Sequence, residues 1–284
     1  MRLWSVGRQG ARVYTRGLIA KIDAQMLRFL QLGRYVEGQL HTRQVASTWR
    51  SNEVVDAGIE SAWQQTIARP GVRIFDGRVC RFEAFHINHE SLTIDLSRTS
   101  YRIVVGTNFL HPEYADEFGA QVMANPVGVS TGLLTRDGYL MMGRRNASVA
   151  YYPDRVHPFA GSLEVEDQID LFGNVRRELR EELSLAPAEI ERVVCMGVAE
   201  DMRLRHPETI YMAWTTRSRA EVDAQVHADE HHDAWSVTAN ADEIFEQLRS
   251  NADLTPIARA VLLAFGRDEF GVDWFHRAFP IAIQ

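Results

Sequence analysis

Between Asp170 and Leu185 the chain carries apolar and acidic side chains at two interleaved helical spacings, and no other segment restricts the fold as strongly. Phe172, Val175, Leu179 and Leu183 recur at steps of three and four residues, so they line one face of an amphipathic helix that Pro187 closes. In Arg177-Glu178-Leu179-Arg180-Glu181-Glu182 the glutamates stand at i, i+3 and i+4 and share the adjoining face. Such a helix must lay its apolar stripe on another element, most naturally a sheet, while its carboxylates stay clustered beside it. Like charges at these spacings destabilise a bare helix by about 0.2–0.5 kcal/mol per pair. Two arrangements relieve them. The glutamates can pair with Arg176, Arg177 and Arg180 on a solvated face, or they can hold a hard divalent cation, for which oxygen ligands favour Mg²⁺ or Mn²⁺ over zinc.

The flanking segments predict the sheet. Residues 127–135 and 139–144 read as strands around Asp137-Gly138, a strong hairpin signal, and a loop with Pro153 and Pro158 then leads to a turn at Gly161-Ser162-Leu163-Glu164. Residues 190–198 and 209–215 read as further strands, and 241–250 and 256–265 as helices. In the first half, residues 51–68 form an amphipathic helix on Val54, Val55, Ile59, Trp63 and Ile67, stopped by Pro70-Gly71. Residues 79–85 and 91–96 alternate like half-buried strands about a loop at 86–90, and Pro112 with the acidic 113–117 reads as a surface connection. Residues 18–39 are spaced loosely like a helix, although Gly33 and Gly38 interrupt it. No internal repeat is visible.

Charge and composition exclude several classes of function. The 284 residues have a net charge of −7, yet residues 1–50 carry nine basic and two acidic side chains, which leaves −14 on the remainder. An acidic body argues against a broad nucleic-acid surface. The basic start reads as a solvated tail, with a phosphate-attracting arm or a mitochondrial targeting peptide as alternatives. No apolar run approaches the roughly 18 residues of a membrane span, so the expected compartment is the cytoplasm. Cys80 and Cys195 are isolated, which argues for buried thiols rather than a disulfide or a cysteine zinc site.

Gly161, Asp167, Arg177, Glu178, Glu181, Glu182 and Leu185, delivered in this order by a strand, a hairpin and a loop, resemble the signature box of the Nudix hydrolases. Asp167 stands for the usual Glu, the interval from Asp167 to Arg177 is longer by two residues, and Ala160 and Ser184 replace glycines. The resemblance implies that Glu178, Glu181 and Glu182 hold Mg²⁺ or Mn²⁺ with the carbonyl of Gly161, that Arg177 orients a glutamate, and that the metal activates water against a diphosphate. A further acid often follows the box in this family. Glu230 is the first candidate and Glu208 the second, while His227, His231 and His232 read as an exposed polar loop, with metal ligation as the alternative.

Ala62-Trp63, Ile74-Phe75-Asp76, Arg81-Phe82, Thr99-Ser100-Tyr101-Arg102, Gly106-Thr107-Asn108 and Leu171-Phe172-Gly173-Asn174-Val175 are similar to a small animal and plant Nudix branch whose animal member cleaves UDP-glucose and UDP-galactose. The fold this implies is α/β (α+β): a Nudix α/β/α sandwich at 119–284, a smaller N-terminal α+β domain at 26–118 and a basic extension at 1–25. The implied activity is metal-dependent cleavage of a UDP-sugar to UMP and sugar 1-phosphate. ADP-ribose or another nucleotide, and nucleotide sensing without cleavage, are the alternatives. Tyr101 would stack on the base, with Arg102 and Asn108 beside it, and Arg144 and Arg145 are candidate phosphate clamps. The competing reading of residues 100–108 is purely structural, a strand end followed by a turn suited to Gly and Asn. The sequence leaves the oligomeric state open.

Overall fold

A computed structural model of the chain describes residues 26–69, 74–147, 149, 151–166, 168–226 and 231–283. The basic extension, the Pro70-Gly71 stop, Asp167, His227 and Glu230 lie outside the described residues. Two sheets organise the rest. The elements are β1 (Leu27–Tyr35), β2 (Leu40–Gln44), α1 (Glu53–Ile67), β3 (Arg78–Asn88), β4 (Ser91–Ser100), α2 (Tyr101–Val104), a wide helical turn (Val105–Phe109) and α3 (Tyr114–Phe118). There follow β5 (Gly128–Leu134), β6 (Tyr139–Arg145), β7 (Val156–His157), β8 (Phe159–Ser162), α4 (Leu171–Leu183), β9 (Ile190–Asp201) and β10 (His206–Thr215). The chain continues through α5 (Arg219–Asp223), β11 (His231–Thr238), α6 (Ala241–Ser250), α7 (Pro256–Phe270) and α8 (Val272–Ala282).

The large sheet runs β1-β9-β10-β5-β6-β11, with β7 added to β6 and β8 to β5. Its central strand β10 is buried along its whole length, and successive side chains serve opposite faces. Ile210, Met212 and Trp214 pack with Val261 and Leu262 of α7, whereas Tyr211 and Ala213 pack with Val175, Leu179 and Leu183 of α4. Leu140 and Met142 on β6 face α7 and Met141 faces α4, by the same period of two. This makes the α/β/α sandwich. The small sheet, β2-β4-β3, adds Leu92, Ile94 and Leu96 to the α4 side of the core. Among the described residues no helix is long and apolar enough to cross a membrane.

Helix α4 matches its expected span. Asp170 caps it by accepting the Gly173 amide at 2.9 Å, and Ser184 ends it in the left-handed conformation at φ 53°. Cys80 and Cys195 are buried free thiols. Several local expectations need correction. The loosely helical 18–39 contains the strand β1, which pairs antiparallel with β9 of the second half, so the first part of 26–118 is an edge of the main sheet. Two bulges fit β1 to β9, and Gly197, at φ 127°, admits the Gln31 carbonyl where a Cβ would stand 2.1 Å away. The expected turn at Gly161 begins as β8, because it continues the pairing with β5. The expected turn at Gly106-Thr107-Asn108 is helical, packed against α1, and α3 occupies most of the acidic connection.

Candidate active site

Strand β8 places Gly161 opposite Val129 of β5, and α4 crosses beside it. Glu178 and Glu182, one turn apart on α4, are 9% and 5% exposed, while the side chain of Glu181 is 56% exposed. Glu178 reaches the strand because Gly161 has no side chain: its Oε1 lies 2.0 Å from where a Cβ would stand. Arg177 Nη2 donates to Glu178 Oε1 at 3.0 Å and to Asn174 Oδ1 at 2.8 Å, so the guanidinium braces the carboxylate from its own helix. Glu182 Oε1 accepts the Ala160 amide at 3.4 Å, and its Oε2 lies 3.4 Å from Nε2 of His231. His231, the first residue of β11, is 1% exposed and edge-on to Phe159.

A cavity of about 160 Å³ adjoins Gly161. Its floor is Gly128, Ala160, Gly161 and Ser162, its apolar wall is Val79, Val104 and Pro126, and its aromatic wall is Tyr101, Phe109 and Tyr151. Arg145, His206 and Glu208 add the polar groups. Glu208 Oε2 accepts from the Ser130 hydroxyl and lies 4.0 Å from the position a Gly128 Cβ would take. Burial pushes the Glu208 carboxyl up to about 7, opposed by the Ser130 hydrogen bond and the charge of Arg145. Burial lowers His206 to about 4, which keeps its imidazole neutral at pH 7, and holds the fully buried His157 well below the usual histidine range. Behind His206, Asp201 accepts from Tyr152 Oη at 2.7 Å and from the amides of Arg203 and Leu204, and burial raises its carboxyl to about 6.

The sequence-derived candidates separate into two groups. Tyr101 and Arg145 line the cavity, and Glu208 lies in it. Arg102 is engaged outside, its guanidinium ion-paired with Glu60 and its amide donating to Asp76. Asn108 is fully buried and donates to the Leu204 and Arg205 carbonyls at 2.9 and 2.8 Å, so its amide ties the helical turn to the β9–β10 connection. Arg144 points away from Arg145, as strand alternation requires, and bonds Asp253 and the Asp154 carbonyl. Glu230 lies outside the described residues. His231 corrects the polar-loop expectation: it belongs to a strand and is buried beside Glu182. Phe109, Tyr151 and His206 had no recognisable signal, since each is a single residue brought in by the fold. Among the described residues no group of three or more His, Cys, Asp or Glu side chains is gathered closely enough to hold a metal ion by itself.

No family model matches the chain. It is 24% identical over 266 residues to the uridine diphosphate glucose pyrophosphatase NUDT22 of Mus musculus, an alignment covering 80% of this chain and 86% of that protein. To the Homo sapiens protein of the same name it is 29% identical over 138 residues, 39% of this chain and 45% of that protein. The chain thus spans less than half of the human relative in that alignment and most of the mouse one. Among solved structures it is similar to DR0079 from Deinococcus radiodurans, with a TM-score of 0.38 at 16% identity over 48% of this chain and 80% of that one. A NUDIX-family hydrolase from Clostridium perfringens gives a TM-score of 0.33 at 14% identity over 51% and 99% of the two chains. The curated proteins to which the chain is similar share the name uridine diphosphate glucose pyrophosphatase, at 24% and 29% identity.

Proposed function

We propose that this Nudix-like chain is a metal-dependent pyrophosphohydrolase that adds water across the phosphoanhydride of a nucleoside diphosphate-linked compound, with a UDP-sugar such as UDP-glucose or UDP-galactose giving UMP and sugar 1-phosphate. The observation that carries this reading is the buried pair Glu178 and Glu182, held against the Gly161–Ala160 strand beside a cavity with aromatic and cationic walls. The NUDT22 relatives support the choice of sugar nucleotide.

The donors suit a hard cation. Glu178, Glu182 and the Gly161 carbonyl offer oxygen alone, Glu181 lies on the solvent side of the same turn, and neither cysteine lines the cavity. When bound there, Mg²⁺ or Mn²⁺ would neutralise the diphosphate and acidify a water molecule. The chain's own residues do the rest: Arg177 keeps Glu178 turned toward the strand, and the aromatic wall takes the planar base. Glu208 is the described carboxylate placed in the cavity to accept a proton from water. Residues 26–118 would contribute Val79, Tyr101, Val104 and Phe109 to recognition, and 119–284 would contribute the box.

Purified protein offered UDP-, ADP- and GDP-sugars, ADP-ribose and dinucleoside polyphosphates with Mg²⁺ or Mn²⁺ should release UMP and sugar 1-phosphate fastest from a UDP-sugar. No turnover of any member with either metal contradicts hydrolysis. Tight binding without turnover would favour a nucleotide sensor, a reading that the exposure of Glu181 supports.

A further inference from the structure

Arg145 is 6% exposed, lines the cavity, and yet forms no ion pair with any carboxylate among the described residues. Its guanidinium carbon lies 4.4 Å from the centroid of the Tyr151 ring, and its Nε donates to the Tyr151 carbonyl at 3.2 Å. A buried cation is costly unless it is paired, so this arginine stands ready for an anion supplied from outside. The stack on Tyr151 fixes the plane of the guanidinium, which favours a forked contact with phosphate oxygens. The same Tyr151 ring sits 5.0 Å from Phe109, which in turn meets Tyr101 edge-on at 6.3 Å. A hydroxyl-rich sugar would leave most of its groups unmatched along Val79, Val104 and Pro126, whereas a planar base suits such walls.

We propose that Arg145, supported by Tyr151, forms a metal-independent phosphate site at the aromatic cavity, so that the protein binds a nucleoside monophosphate without any divalent cation. The proposal deepens the pyrophosphohydrolase reading and rests on it for the choice of a nucleotide. It assigns the nucleoside side of the diphosphate to Arg145 and leaves the box carboxylates to the metal.

The test is calorimetric titration of the full chain in EDTA with UMP, CMP, AMP and GMP, each beside its own nucleoside. At least one monophosphate should bind 10-fold or more tightly than its nucleoside. Arg145→Met should abolish that preference while leaving nucleoside affinity within 2-fold, and Arg145→Lys should retain part of it. Arg144→Met, which removes a guanidinium already bonded to Asp253, should leave it intact. Equal affinity of every monophosphate and its nucleoside in the wild type overturns the proposal, as does an undiminished preference in folded Arg145→Met. The wild-type comparison decides even if that variant fails to fold. Monophosphate preference without hydrolysis of any substrate sinks the hydrolase reading alone, and hydrolysis without the preference sinks this inference alone.

Discussion

The carboxylate of Glu178 fills the space that a side chain on Gly161 would need, with Oε1 2.0 Å from the missing Cβ. A single methyl group is therefore expected to act on the chemistry through a neighbour. Gly161→Ala should displace Glu178 from the strand and separate it from Arg177, lowering kcat by 10-fold or more. The overpacking should cost about 1–3 kcal/mol of stability. Steady-state kinetics and chemical denaturation check both, and a variant with wild-type kcat would show that the close approach is incidental.

Ser184 occupies the position where the Nudix box closes with glycine, and it adopts φ 53°. A non-glycine residue in that conformation costs about 1–2 kcal/mol, part of which glycine gives back through its greater freedom when unfolded. Ser184→Gly should therefore stabilise the protein by about 1 kcal/mol, a rise in Tm of about 2–4 °C for a chain of this size, with kcat unchanged. Differential scanning calorimetry tests it. A lower Tm would mean that the serine hydroxyl contributes more than the backbone loses.

Asp201 makes a pH-dependent contribution whose sign follows from burial. Its folded pKa of about 6 lies above the ordinary aspartate value of about 3.9, so between the two the folded state holds a proton that the unfolded chain has released. The stability of this site is full below about pH 4 and is lost as pH rises through 6, by about 3 kcal/mol at most. Asp201→Asn can accept the Arg203 and Leu204 amides and donate to Tyr152 Oη, so it should keep the contacts and remove the titration. Denaturation between pH 4 and 8 should show the variant gaining on wild type as pH rises. A constant difference across that range would refute the assignment.

Much of the framework could be read from the sequence, because α4, α6, α7 and the β5–β6 hairpin carry strong periodicity or a clear turn signal. Strand β1 could not. Its two bulges break the alternation, and its half-buried edge position admits Arg28, Gln31 and Arg34, which suit a helix equally well. The box glutamates were legible as a face but not as a ranking, since only packing against β8 separates buried Glu178 and Glu182 from exposed Glu181. His231 was hidden in a polar run, and Arg144 and Arg145 were equivalent until the strand turned one of them into the cavity.

Tyr101 is half-buried at the cavity wall, so its truncation should act on binding more than on folding. Tyr101→Ala is expected to weaken UDP-glucose binding by about 1–3 kcal/mol, the range for one base on one aromatic ring, and Tyr101→Phe should be mild. Core packing instead predicts a stability loss of about 3–5 kcal/mol with base preference unaltered. KM values for UDP- and ADP-glucose, measured with melting curves on both variants, separate the two.

If the buried pair on α4 drives metal-dependent cleavage of a phosphoanhydride, the response to Mg²⁺ must run through Glu178 and Glu182. The most direct measurement is the rate of UMP release from UDP-glucose against Mg²⁺ concentration, for wild type, Glu178→Gln and Glu182→Gln at matched folding. Wild type should show saturable activation by Mg²⁺ and no turnover in EDTA, while each variant loses at least 100-fold in kcat and melts near the wild-type temperature. Turnover that persists in EDTA, or that survives in either folded variant at saturating Mg²⁺, would contradict the account.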